Sequence, residues 1–320
     1  MPYECPTLGR MRKTSVYLPE ETKAALHHVA ERWQRSEAEL IRLAVERLVH
    51  SAENGSGPSA TAQPTGLDGP VLIGVGVGPS APDLVTERAV DTLQRADQVF
   101  AASTAPDAIG RAEAIVRSVA PEVAVDRLAV SIGGDAGERS ASLDRAAQTI
   151  VAKLDAGASV AFVTLGDPNV YSVFSSIQRR VAAERPRVPI EVVPGVMAFQ
   201  ELAARCHTVL SEGSESIEVV TVGDDPSVLD GPLGRDTCTV VVYKGGRHLP
   251  EVADRLKTTG RLEGAAVGEL LGVPGNRSNA VAEVADRPAS YLATVVVPAK
   301  RSAGGPGENH ETLTTAGMEK

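Results

Sequence analysis

Hydrophobic and polar positions follow three different rhythms along this chain, and each change of rhythm marks a change of architecture. Between residues 11 and 50, Thr14, Val16 and Leu18 alternate with Lys13, Ser15 and Tyr17, the period of a half-buried strand. After Pro19 the period lengthens. Leu26, Val29, Ala30 and Trp33 recur at helical spacing. A second helix opens at Ser36, with Glu39 three residues on as in a capping box, and its apolar stripe is Leu40, Ile41, Ala44, Val45 and Leu48. From 51 to 69 periodicity gives way to Gly, Ser, Pro, Ala and Thr, with Leu67 the one large apolar residue. This predicts a flexible linker with an end-to-end distance of roughly 24 Å on random-coil scaling. From Pro70 onward, apolar runs such as Val71-Leu72-Ile73 alternate with helical patterns, the order expected of a parallel α/β sheet. Residues 1–10 are expected to be a disordered leader, and the polar, Gly-rich stretch 303–320 a disordered tail.

Composition sharpens this division. Only ten of the 320 residues are aromatic (4 Phe, 5 Tyr, 1 Trp), so the cores must be built from Val, Leu, Ala and Ile. The net charge of −9 is unevenly spread: Arg10 to His50 holds eight Lys/Arg and six Asp/Glu, a net of +2, which leaves −11 for the remainder. A slightly basic head on an acidic body suggests separate tasks. Cys5, Cys206 and Cys238 have no metal-ligand spacing, and Cys238 sits in an apolar strand pattern that predicts a buried core residue. Among the six histidines only His27 and His28 are close in sequence, and neighbours on a helix point apart, so no metal site is expected. No apolar run approaches membrane-spanning length and no signal peptide is read at the start. The expectation is a cytoplasmic protein with no membrane partner.

The chemistry concentrates in the large region. The apolar run Val160-Ala161-Phe162-Val163-Thr164 leads straight into Gly166-Asp167-Pro168, a turn of the kind that binds ligands at the carboxyl end of a parallel strand. It has company: Gly74-Val75-Gly76-Val77-Gly78-Pro79 upstream, then Val192-Val193-Pro194-Gly195-Val196 and Val242-Tyr243-Lys244-Gly245-Gly246-Arg247 downstream. Pro79 and Pro82 interrupt the first glycine loop where a dinucleotide-binding fingerprint needs a helix, which argues against a nicotinamide site.

This series of four motifs, covering roughly Gly69 to Arg301, resembles the tetrapyrrole methylases, and within them the branch that methylates precorrin-2 at C20. The resemblance implies two α/β lobes with a central cleft. The lobes would span 70–187 and 188–302, with the boundary at the prolines of Arg185-Pro186-Arg187-Val188-Pro189. It implies S-adenosyl-L-methionine as cofactor, precorrin-2 or a related tetrapyrrole as substrate, and a homodimer. Cofactor contacts carried over are Gly166, Asp167, Val170, Tyr171, Ser172, Met197, Ala198, Tyr243, Lys244, Ala266 and Thr294. On the substrate side stand Gly78 and Pro79, and the cations Arg88 and Arg247, with Lys244, Arg277 and Arg301 as further partners for the substrate's carboxylates.

One departure matters. Where the family's first loop usually reads Gly-Pro-Gly-Asp-Pro, this chain reads Gly78-Pro79-Ser80-Ala81-Pro82, and the nearest acid is Asp83, the candidate for a catalytic role. Two functions therefore stay open: an active methyltransferase, or a regulator that uses a non-catalytic methylase fold to sense S-adenosylmethionine or a corrinoid. A methyltransferase acting at another ring position is a third.

The head, 11–50, resembles the ribbon-helix-helix DNA-binding proteins, whose chains pair as dimers through the strand. The resemblance puts Lys13, Ser15 and Tyr17 in the DNA major groove and Ser36, at the start of the second helix, on a phosphate. A dimerisation module that never touches DNA is the alternative.

Overall fold

The computed structural model describes residues 19–33, 35–42, 69–105, 108–131, 135–272 and 275–301, with Val16, Val45 and Leu67. The chain divides into two compact units, Met1–Gln63 and Pro64–Lys320.

In the first unit, helix α1 (Glu20–Trp33) starts directly after Pro19, whose carbonyl accepts the Lys23 N–H. Helix α2 (37–42) is capped by Ser36, whose Oγ accepts the Glu39 N–H at 3.2 Å. Ala30 and Leu40 are buried, and His27 Nδ1 lies 2.9 Å from Glu37 Oε1, tying the two helices together. The proposed strand residues Lys13, Ser15 and Tyr17 lie outside the described residues, as do the leader 1–10, most of the 51–69 linker and the 303–320 tail. The linker's end falls earlier than Gly69. Leu67 is half-buried against the core of the large unit, because an isolated leucine gains by covering apolar surface there.

The large unit holds two five-stranded sheets. The first comprises β1 (Leu72–Gly76), β2 (Gln98–Ser103), β3 (Val125–Ala129), β4 (Val160–Thr164) and β5 (Ile190–Val193), ordered β3-β2-β4-β1-β5 and parallel throughout. β1 is buried along its whole length because helices cover both faces. Helices α3 (Glu87–Arg95) and α4 (Arg111–Val119) bring Ala89, Leu93, Ile115 and Val116 onto Ile73, Val75 and Val163. Helices α5 (Ala136–Asp155) and α6 (Phe174–Glu184) bring Ile150, Phe174, Ile177 and Val181 onto Leu72, Phe100 and Phe162 on the other face. Glu113, fully excluded from solvent, ties α4 to β3 through Arg127 (Nε–Oε2, 2.7 Å) and is also met by Arg117.

β5 corrects the expected lobe boundary. Its predicted place was at the head of the second lobe, but it pairs in parallel with β1 and closes the first sheet. The prolines before it end α6 without ending the sheet. The change of sheet comes after Val193, where helix α7 (Ala198–Arg205) packs Leu202 onto the second sheet.

The second sheet comprises β6 (Ser216–Thr221), β7 (Cys238–Tyr243), β8 (Ala266–Glu269), β9 (Arg277–Ala280) and β10 (Thr294–Val297), ordered β6-β7-β10-β8-β9. Only β6 and β7 are parallel; the other pairings are antiparallel, against the expectation of parallel strands throughout. The link from β8 to β9, residues 270–276, is too short for the crossover a parallel pair needs. Helix α9 (Leu249–Thr258) covers one face with Leu249, Val252 and Leu256; the short helices α8 (Asp230–Leu233) and α10 (Val281–Val284) complete it. Cys238 is buried in this core, as its strand pattern predicts. Beneath it the buried Arg261 guanidinium donates to the carbonyls of Leu233, Arg235, Cys238 and Pro298.

Candidate active site

Adjacent strands β1 and β4 send their chains in opposite directions: β1 leads through α3 towards β2, and β4 leads through α6 to β5 on the far side. Such a switch point opens a crevice at the strands' carboxyl ends. Both glycine motifs lie there. Gly166, at φ +64°, donates its N–H to Gly78 O at 2.9 Å, and Val77 N–H donates to Thr164 O at 3.0 Å. The loop after β5 joins them, since Asp167 Oδ2 accepts the Gly195 N–H at 3.3 Å. Three glycines meet at this floor. A Cβ on Gly76 or on Gly195 would fall well inside van der Waals contact of the Gly166 carbonyl oxygen, so the backbones approach as only glycine allows.

The carboxyl ends of β6, β7 and β8 and the start of β10 form the facing wall. Lys244 after β7 and Leu270 after β8 adopt left-handed conformations (φ +57° and +52°), as does Tyr171 (φ +50°) in the turn after β4. Non-glycine residues in that region carry strain that cores seldom tolerate and ligand sites collect. The Tyr171 hydroxyl donates to Val219 O in β6 at 3.0 Å. Its ring meets that of Tyr243 edge-on with centroids 6.1 Å apart, and Lys244 Nζ stands 5.9 Å from its centroid. Further along, Gly272 of the β8 loop lies backbone to backbone against Ser80 and Ala81 of the β1 loop.

The structure thus brings most of the sequence-predicted residues to one cleft, and assigns several of them a framework task. Asp167 spends its carboxylate on backbone amides, accepting from Asn169 at 2.8 Å as well as from Gly195. Ser172 Oγ donates to Thr164 Oγ1 and accepts the Phe174 N–H, which ties the start of α6 to the end of β4. Val170 N–H closes the turn on Asp167 O. Met197, whose Cα lies near Gly166, starts α7, and Ala198 follows it. Thr294 pairs with Tyr243 and Gly268 in the sheet, and its buried Oγ1 has no hydrogen-bond partner among the described residues. Burial pushes the Tyr243 phenol up to about 12 against the lowering effect of a hydrogen bond with the Phe199 backbone, so it remains a neutral donor.

Other residues sit less centrally. Ala266 opens β8 two positions before Gly268, and its side chain belongs to the apolar cluster under α7. Gly78 and Pro79 are buried in the first loop. Asp83 lies in the 3-10 turn Pro82–Leu84 with an exposed side chain and no hydrogen bond or ion pair among the described residues. Arg88 is exposed on α3 and Arg277 at the start of β9, and neither has a carboxylate partner among the described residues. Arg301 is committed elsewhere: Glu215 and Val209 O hold its guanidinium, which removes it as a substrate cation. Among the described residues, no group of three or more His, Cys, Asp or Glu is placed to hold a metal ion, and no helix is long and apolar enough to cross a membrane.

Sequence reasoning missed Tyr291, whose ring faces the Arg247 guanidinium at 5.9 Å, and Glu269, whose Oε2 accepts the Ser290 N–H at 2.7 Å and so holds the 289–293 loop. Nothing local to residues 289–293 marks either contact. Gly195 stands in a quoted motif, but its role appears only when three strand ends converge.

Residues 71–283 match the family model described as Tetrapyrrole (Corrin/Porphyrin) Methylases. The chain is 31% identical over 239 residues to precorrin-2 C(20)-methyltransferase of Sinorhizobium sp, covering 71% of this chain and 94% of that protein. It is 28% identical over 229 residues to cobalt-precorrin-2 C(20)-methyltransferase of Salmonella typhimurium, covering 71% and 95%. Solved structures share the fold at lower identity. They include a cobalamin synthesis related protein, CobF, from Corynebacterium diphtheriae (TM-score 0.53, 18% identical, 71% of this chain and 98% of that one). Another is the cobalt precorrin-4 methyltransferase CbiF (TM-score 0.52, 20% identical, 71% and 94%).

Proposed function

The chain belongs to the tetrapyrrole methylase family, and from that premise we propose that it methylates precorrin-2 at C20, giving precorrin-3A. At the coarser level it is an S-adenosylmethionine-dependent methyltransferase of cobalamin-pathway tetrapyrroles. The observation that carries the C20 assignment is likeness along 94% and 95% of the length of two relatives with that named specificity.

The cleft fits the methyl donor. Its floor is the backbone of Gly76, Gly166 and Gly195 packed together, the orphaned Thr294 Oγ1 offers a hydrogen bond, and Tyr171 and Tyr243 offer aromatic surface. S-adenosylmethionine supplies, when bound, a methyl group activated by a sulfonium. The protein's part is placement, since holding the acceptor carbon in line and in contact can supply most of the acceleration. In this reading Met197, Tyr243 and Thr294 hold the donor's side of the cleft. Lys244 and Arg247, which face aromatic rings and have no carboxylate partner among the described residues, balance the substrate's carboxylates. The first loop offers no acid at position 81, so a proton leaving the macrocycle passes to solvent or to Asp83 rather than to a buried carboxylate. The test is to incubate the full chain with precorrin-2 and S-adenosylmethionine. A mass gain of one methylene, a methyl group added and a proton lost, supports the reading; unchanged precorrin-2 with the donor bound contradicts it.

Ala81 also favours a second reading, in which the same fold senses S-adenosylmethionine or a corrinoid without turnover and the head acts on DNA as a dimer. Ser36, whose Oγ caps α2, stands at a helix start where backbone amides meet anions, which suits a phosphate contact. The head's charge of +2 against −11 elsewhere supports this placement of DNA. Ligand-dependent binding to the chain's own upstream DNA without methyl transfer would favour it.

A further inference from the structure

Ser80 combines three features that a purely structural loop avoids. Its φ is +135°, in the region that favours glycine, and glycine is what the family's loop usually carries there. The residue is 4% exposed, and its Oγ has no hydrogen-bond partner among the described residues. Strain and an unpaired buried hydroxyl both cost stability, and glycine would remove both.

The position gives these costs a meaning. Two residues earlier Gly78 bridges to Gly166 at the floor of the cleft, and one residue later Ala81 lies against Gly272 of the facing lobe. Among the described residues three buried side-chain atoms lack partners: Ser80 Oγ, Thr294 Oγ1 and Gln98 Oε1. Gln98 begins β2, at the opposite end of the first sheet, whereas Ser80 and Thr294 belong to the two walls of the cleft. Orphaned hydroxyls on both walls are what a bound polar ligand would satisfy.

We infer that Ser80 is a specificity-determining residue whose hydroxyl donates a hydrogen bond to a peripheral carboxylate of the tetrapyrrole substrate. The inference rests on reading the cleft as a tetrapyrrole site. Its chemical basis is charge. With serine at 80 and alanine at 81 the segment 78–82 carries no charge and offers a donor. An acid at 81 would instead present a negative charge to a substrate that already carries many carboxylates. The hydroxyl keeps its position in the strained backbone because substrate binding uses it.

The test titrates the full chain with S-adenosylmethionine and, separately, with the air-stable oxidised form of precorrin-2. Ser80→Gly removes the hydroxyl and relaxes the backbone; Ser80→Ala removes the hydroxyl at the same φ. Both variants should raise the tetrapyrrole Kd about tenfold, the loss of one hydrogen bond to a charged group, with the S-adenosylmethionine Kd unchanged. Ser80→Gly should also melt above the unaltered protein. Tetrapyrrole affinity unchanged in either variant would overturn the inference. Equal loss of both affinities would also overturn it, by assigning Ser80 to loop shape. Failure of the unaltered chain to bind the tetrapyrrole would instead remove the parent reading, and this one with it.

Discussion

The hydroxyl of Tyr171 donates to the carbonyl of Val219 at 3.0 Å, and with that bond the turn after β4 is fastened to the edge strand of the facing sheet. Tyr171 is 52% exposed and sits at φ +50°, so neither burial nor backbone preference holds it there. Tyr171→Phe should therefore raise the S-adenosylmethionine Kd three- to tenfold, on the order of 1 kcal/mol, with little change in Tm. Calorimetry on the folded variant checks this; an unchanged Kd would mean the bond does not shape the cleft.

Gly195→Ala, and likewise Gly76→Ala, should cost about 2–3 kcal/mol and abolish donor binding, because the added methyl has no space beside the Gly166 carbonyl. Gly157→Ala is the control. Its φ of +89° is unfavourable for alanine but its surroundings are open, so a loss of about 1 kcal/mol with donor binding intact is expected. Thermal melts paired with donor titrations separate the two outcomes.

Glu113 predicts the acid limb of stability. The Arg127 guanidinium, against the opposing effect of burial, holds its carboxyl below the usual range, with Arg117 adding to the shift. A depressed folded pKa contributes stability above the unfolded value of about 4.3, and that contribution is lost as pH falls through the folded value. Glu113→Gln should destabilise the large unit by on the order of 2 kcal/mol at pH 7 and flatten the fall in Tm below pH 4.5. An acid limb as steep as in the unaltered protein would place its cause elsewhere.

Replacing Lys13 and Tyr17 with Ala should abolish sequence preference in a DNA shift assay and leave the large unit's melting unchanged. Any binding that remains should fall steeply with salt, as phosphate contacts do. Equal binding to random and upstream DNA by the unaltered chain would reduce the head to a dimerisation module.

The sequence carried the floor of the cleft, because apolar runs ending in Gly166-Asp167-Pro168 and Gly76-Val77-Gly78 state both the strand and its exit. It carried α1 and the Ser36 cap for the same reason: period and capping are local. The membership of β5 was not legible, since Pro186 and Pro189 punctuate the chain without recording which sheet the next strand joins. Antiparallel β8, β9 and β10 look like any short apolar or polar strand until their connections are traced. Arg301 read as a free cation because Glu215, its partner, is 86 residues away. Tyr291 and Glu269 depend on contacts between loops, which periodicity does not encode. Ser80 shows the converse case, where one residue out of pattern in a legible loop points to function.

The most direct test of the central claim is to incubate the full chain with precorrin-2 and S-adenosylmethionine labelled with carbon-13 in its methyl group, and to locate the label by NMR. A single labelled methyl at C20 is the expected result. A label on any other ring carbon would contradict the C20 assignment, and no label in the tetrapyrrole, with the donor bound, would contradict the enzymatic reading.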